Sequence, residues 1–145
     1  MSIVLRIQEL LYRVMPITRA MGVVVESYDG ARLVLTAPLE ANVNHLGTAF
    51  GGSINTLAVL SGYGLLWIEL EDTECHLVLR ESAISYEHPV RVELRAICVR
   101  PAAEVLDAFR ERFREKGRAR IALDATVEED GRVAARFRGT FVAMR

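Results

Sequence analysis

Between Ser53 and Ile68 the chain carries no charged side chain and no proline, and apolar residues fall on every face of a helical wheel. A helix that is apolar all round has to be enclosed on all sides, by protein or by lipid. No other stretch limits the available folds so tightly. Ala49 to Ile68 also has the length that crosses a bilayer. Gly51, Gly52, Ser53, Asn55, Thr56, Ser61, Gly62 and Gly64 dilute its hydropathy, however, and the flanking segments alternate like strands of a globular domain. The expectation is a helix buried in protein, with no membrane. Its entry, Gly51-Gly52-Ser53, suits a helix start that something approaches closely, because glycine lets the backbone come near a ligand. The first-turn N–H groups of a helix are unpaired donors at the positive end of its dipole. A central helix over about Ser53 to Trp67, with an electron-rich oxygen held at its start, is therefore predicted.

The remaining chain reads as one domain over residues 1–145, long enough to bury a sizeable core. The formal net charge is −1, so nothing global points to nucleic acid. Cys75 and Cys98 have no metal-type spacing and make no disulfide framework, which favours a cytoplasmic location. Ser2 to Met15 reads as an amphipathic helix that Pro16 ends. Met21 to Tyr28 reads as a strand, Asp29-Gly30 as a two-residue hairpin turn, and Leu33 to Ala37 as the returning strand. His76 to Tyr86 is a further strand, and the alternation from Val90 to Cys98 predicts another, half-buried. Ala102 to Lys116 has helical spacing and ends at Gly117. Two last strands, Ala119 to Val127 and Val133 to Phe141, meet at Asp130-Gly131. This order predicts an α+β chain, an antiparallel sheet wrapped around one long central helix in the hot-dog arrangement. One copy leaves an edge strand and part of the helix uncovered, so a homodimer or larger assembly is expected.

At A-P-L-E-A-N-V-N-H-L-G-T-A-F-G-G-S and L-S-G-Y-G-L-L-W, and over nearly its whole length, the chain resembles the YiiD carboxy-terminal family of hot-dog proteins. N-H-L-G-T-A-F-G-G resembles the Asn, Gly-Thr, His-Gly-Gly pattern of hot-dog acyl-thioesterases. S-Y-E-H-P-V resembles their Tyr-x-x-Pro-Val corner. The resemblance implies an acyl-thioester enzyme of fatty-acid metabolism, in a family that includes malonyl-acyl carrier protein decarboxylases. It places Asn44 and Gly51 at the positions that polarise the thioester carbonyl. Two departures stand out: Phe50 replaces the motif histidine, and Val59 replaces the helix Asp or Glu that activates water or attacks the carbonyl. Hydrolysis needs such a group. Loss of carbon dioxide from a malonyl thioester does not, because the departing carboxylate supplies the electrons. Decarboxylation of malonyl-acyl carrier protein or malonyl-CoA is thus the leading expectation. The alternatives are an acyl-CoA or acyl carrier protein thioesterase and a non-catalytic acyl-carrier binding module. The expected partner is an acyl carrier protein or coenzyme A thioester, whose own phosphopantetheine makes a further cofactor unnecessary.

On this reading the catalytic candidates are Asn44, Gly51 and Asn55, and the substrate-binding candidates are His45, Phe50, Gly52, Ser53 and Val59. Each has a plainer reading. Asn44 suits a loop amide bonding its own backbone, Asn42 reads as structural, and Asn55 as a satisfied core amide. Ser53 reads as a helix-start residue, and neither Ser53 nor Ser61 has a His–acid pair. His45, His76 and His88 lack ligand spacing, so no metal is expected; of the three, only His45 is a candidate proton donor. Tyr63 and Trp67 read as core. From Arg91 to Arg120 nine cations face five acids, either a solvated surface or a docking face for an acidic carrier.

Overall fold

The computed structural model describes residues 1–145. Its elements are helix α1 (Ile3–Val14), helix α2 (Ile17–Met21), strand β1 (Val24–Tyr28), strand β2 (Arg32–Ala37) and a 3-10 turn (Glu40–Asn42). Helix α3 (Gly51–Leu70), strand β3 (His76–Tyr86), strand β4 (Leu94–Val99), helix α4 (Ala103–Lys116), strand β5 (Arg118–Glu129) and strand β6 (Arg132–Met144) follow. The six strands form one antiparallel sheet in the order β1-β2-β4-β5-β6-β3. The sheet curls around α3, so the fold is the predicted hot dog. Leu57, Ala58, Leu65 and Leu66 of α3 are fully enclosed, against Leu33, Leu35, Leu94, Leu123 and Phe141 of the sheet. The helix can sit this close because it lacks side chains at two contact points. A Cβ on Gly62 would lie 2.4 Å from Phe141 Cζ, and one on Gly64 would lie 2.7 Å from Leu33 Cδ2.

α1 packs Ile7, Leu10 and Leu11 into the core beside β1 and α3, and Ser2 caps its start. α4, inserted between β4 and β5, buries Leu106, Phe109 and Phe113 and ends at Gly117 in the left-handed conformation. Asp130 and Gly131 both take positive φ, as the predicted β5–β6 turn requires.

Several sequence-based boundaries move. Met21 belongs to α2, a short helix that Pro16 begins rather than a loop it leaves behind, and β1 starts only at Val24. The β1–β2 turn centres on Gly30 and Ala31, because the Asp29 carboxylate accepts from the Ala31 and Arg32 N–H groups. The strand expected from Val90 pairs only from Leu94, opposite Ala37. Its neighbour β2 stops there at Pro38, which has no N–H to continue the ladder, and the Val90 carbonyl accepts instead from Ala49. α3 is longer at both ends than Ser53 to Trp67, beginning on the glycine pair itself.

Candidate active site

The loop before α3 is a small hairpin closed by a bridge between Val43 and Ala49. Asn42 anchors its base: the buried amide donates to the carbonyls of Met21 and Pro38, the structural role expected of it. Asn44 organises its tip. The Asn44 Oδ1 accepts from Leu46 N at 2.8 Å and Thr48 N at 3.1 Å, and its Nδ2 donates to Thr48 Oγ1 at 2.9 Å. Its backbone bonds Thr48 and Gly47, with Gly47 at φ 80°. Asn44 is thus the loop amide of its plainer reading, and one Nδ2 proton is left over for a ligand. His45 and Leu46 stand exposed at the turn.

The helix start beside this hairpin has no side-chain cap. Phe50, not Ser53, occupies the capping position, and a phenyl ring has no oxygen to offer the first-turn N–H groups. The Phe50 N–H is itself held by the Asn42 carbonyl. Its ring, 57% exposed, lies against Gly52, where an added Cβ would fall 2.5 Å from it. The glycine therefore makes room for Phe50 at the mouth of the site. Tyr86, at the end of β3, donates its hydroxyl to the Gly51 carbonyl at 2.9 Å and lays its ring over Gly51.

Gly52, Asn55 and Val59 follow one another at helical spacing on one face of α3, and Asn55 and Val59 are half-buried. The Asn55 Oδ1 is buried without a partner, unlike the satisfied core amide considered from sequence. Val59 lies about 12 Å along the axis from Gly51, roughly two turns along α3 from the helix start that Phe50 flanks. No Asp or Glu occurs on α3 before Glu69, about 27 Å from the helix start. Glu69 is tied down there. It accepts from Tyr28 at 2.9 Å and Arg100 at 2.8 Å, and it pairs with Arg110.

Two residues near the helix start gained no role from the sequence. Tyr86 was only part of a corner motif, and its reach to Gly51 depends on where β3 ends. His88 lies between Tyr86 and Val90, which bond Gly51 and Ala49 respectively, and its Nε2 is buried without a partner. The Ser85 to Val90 motif was the available signal for both. Ser61 is spent on the Ala58 carbonyl at 2.6 Å. No three His, Cys, Asp or Glu side chains are placed to hold a metal ion.

Comparison with known proteins agrees with this architecture. Residues 4–145 match the family described as "Putative thioesterase (yiiD_Cterm)". A Chlorobaculum tepidum protein of unknown function, OLEI01261, is 34% identical with TM-score 0.91, covering 99% of this chain and 94% of its own. A Shewanella oneidensis protein described as a thioesterase of putative assignment is 25% identical with TM-score 0.84, covering 99% and 98%. The Haemophilus influenzae thioesterase HI1161, at 14% identity and TM-score 0.73 over 98% and 90%, shares the fold. With its hot-dog fold and a family match over almost every residue, the chain belongs to the YiiD carboxy-terminal thioesterase family.

Proposed function

We propose that the protein is an acyl-thioester enzyme that decarboxylates a malonyl thioester, carried by an acyl carrier protein or coenzyme A, to the acetyl thioester. The observation that carries this reading is a helix start rich in donors and without a carboxylate: uncapped N–H groups, the spare Asn44 Nδ2 proton and the Asn55 amide, with Val59 on the same flank. In the reaction the bond between the α-carbon and the carboxylate breaks and carbon dioxide leaves. Its electron pair passes into an enolate whose charge rests on the thioester oxygen, and the α-carbon then takes a proton. Donors aimed at that oxygen are the main catalytic device for such a step. Gly51 and Gly52 admit the oxygen to the backbone, and Asn44 donates from the side. Phe50 and Val59 present an apolar wall to the departing carboxylate, with His45 and Ser53 at the rim.

Hydrolysis is the second reading. It is favoured by the family description. Incubation with malonyl-carrier protein and with malonyl-CoA, followed by product mass, separates the readings. Acetyl thioester is expected. Malonate and free thiol would establish a thioesterase, and unchanged substrate a binding module. We further propose a homodimer: β3 is an 11-residue edge strand with most of its length exposed, and the half-buried flank of α3 lies next to it.

A further inference from the structure

Five cations from three elements converge on the face of the sheet turned away from α3. Arg118 and Arg120 alternate with the buried Ala119 and Ile121 of β5, so they point outward. Arg112 and Lys116 come from the solvent side of α4, four residues apart on one helical face, while Phe109 and Phe113 are buried. Arg80 joins them from the bulge in β3 between Leu79 and Glu81. Left-handed Gly117 turns the chain at once from α4 into β5, which sets Lys116 and Arg118 on either side of it. The five side chains line a concavity of about 650 Å³ floored by Ala119 and Val142, with no carboxylate in its wall. None of the five takes part in an ion pair. Glu81 and Glu104 lie in the adjoining groove, also unpaired.

On a chain of net charge −1 this is a strong local concentration of positive charge. Unpaired like charges repel, and the arrangement gains from an anionic partner that neutralises them. Guanidinium groups suit carboxylates in particular, through paired N–H donors. The cradle has no aromatic ring on which a base could stack, as adenine or single-stranded nucleic acid would use.

We infer that this cradle is the docking surface for the acidic carrier protein that delivers the acyl thioester; the inference rests on the acyl-thioester reading above. Arg80 and Tyr86 lie six residues apart on β3, about 20 Å. A phosphopantetheine arm, about 13 bonds at roughly 1.2 Å each, spans about 16 Å. That length covers most of the separation, so a carrier seated on the β3 side of the cradle brings its thiol toward the helix start.

The test uses the full chain and two variant pairs, R112E/R120E and the milder R80Q/K116Q, with folding checked by circular dichroism. Binding of fluorescently labelled apo-carrier protein is followed by anisotropy at low and moderate salt. KM and kcat are measured with the same acyl group on the carrier and on coenzyme A. Carrier binding should weaken about tenfold or more in the reversal pair and less in the neutral pair, and wild-type binding should fall with salt. KM for the carrier substrate should rise against that for the coenzyme A substrate, with kcat held. Unchanged carrier affinity overturns the proposal. So does an equal rise in both KM values, which would assign the cradle to the nucleotide phosphates of coenzyme A. Tighter wild-type binding of a single-stranded DNA oligonucleotide than of the carrier also overturns it. Because anisotropy needs no turnover, a protein that binds the carrier but converts neither thioester would sink the enzymatic reading and keep the docking surface.

Discussion

Asn44 does two things with one amide, and the two can be separated by substitution. Its oxygen orders the turn through Leu46 and Thr48, while its nitrogen holds the spare proton. Asn44→Ala removes three side-chain hydrogen bonds from a half-exposed loop and should cost about 2 kcal/mol, at about 1 kcal/mol or less each. Asn44→Asp keeps the acceptor that holds the turn but replaces the donor with a negative charge. Its denaturation midpoint should stay near wild type while kcat falls about 100- to 1,000-fold, the usual loss for one oxyanion donor. An Asn44→Asp enzyme with normal kcat would remove Asn44 from the chemistry. The cysteines are a separate case. Burial pushes the Cys98 thiol up to about 12 and the Cys75 thiol up to about 11, the latter helped by Asp72. Both thiols then stay protonated when folded at pH values where the unfolded chain ionises. Their contribution is complete below about pH 8.5 and lost as pH climbs toward 11 to 12. Denaturant midpoints measured from pH 8 to pH 11 should fall, and the fall should be shallower in Cys98→Ala than in wild type.

At the scale of elements, the contact between α3 and β6 is set by a missing side chain. Alanine is normally about 1 kcal/mol better than glycine inside a helix. At Gly62 the sign should reverse, because the added methyl meets Phe141, a fully buried ring held edge-on against Tyr63 at 5.5 Å. Overpacking of this kind costs about 1–3 kcal/mol. Gly62→Ala should therefore be less stable in urea unfolding despite its better helix propensity; a stabilised variant would mean that α3 can slide on the sheet. The far end of α3 is fixed differently. Arg110 of α4 bonds both the Glu69 carboxylate and the Glu69 carbonyl, placing a cation at the negative end of the helix dipole. α4 is thereby docked on the core, and its outer face carries Arg112 and Lys116 to the cradle.

For the whole molecule, the uncovered edge of β3 bears on the proposed dimer. A long strand with unpaired backbone groups invites pairing with another chain. Two copies joined there would cover it and the flank of α3 that carries Asn55 and Val59. Sedimentation at micromolar concentration should give twice the mass of one chain. A monomer under those conditions would mean that the helix start works as an open groove. Asn55 and Val59 are half-buried in the single chain, so a partner seated on that flank would complete their enclosure.

The order of the strands and of the three longer helices, the buried central helix and the presence of both hairpins were legible in the chain because they are local; the short α2 was not. An uncharged 16-residue run can only be enclosed, strict alternation can only be a half-buried strand, and Asp130-Gly131 states its turn in two residues. Candidate residues on the Asn44 loop and the helix start were also visible, through the motif they share. Their roles were not. Whether Tyr86 reaches Gly51 and whether Asn55 finds a partner depend on distances between segments far apart in sequence. The false start of a strand at Val90 has the same origin: its alternation was correct, but the neighbour that would have paired with it ends at Pro38. The cradle shows the limit most clearly. Arg80 and Arg112 are 32 positions apart, and only the curl of the sheet and the docking of α4 bring them to one concavity. Local pattern determined what each segment is; the packing of segments against one another decided which side chains meet.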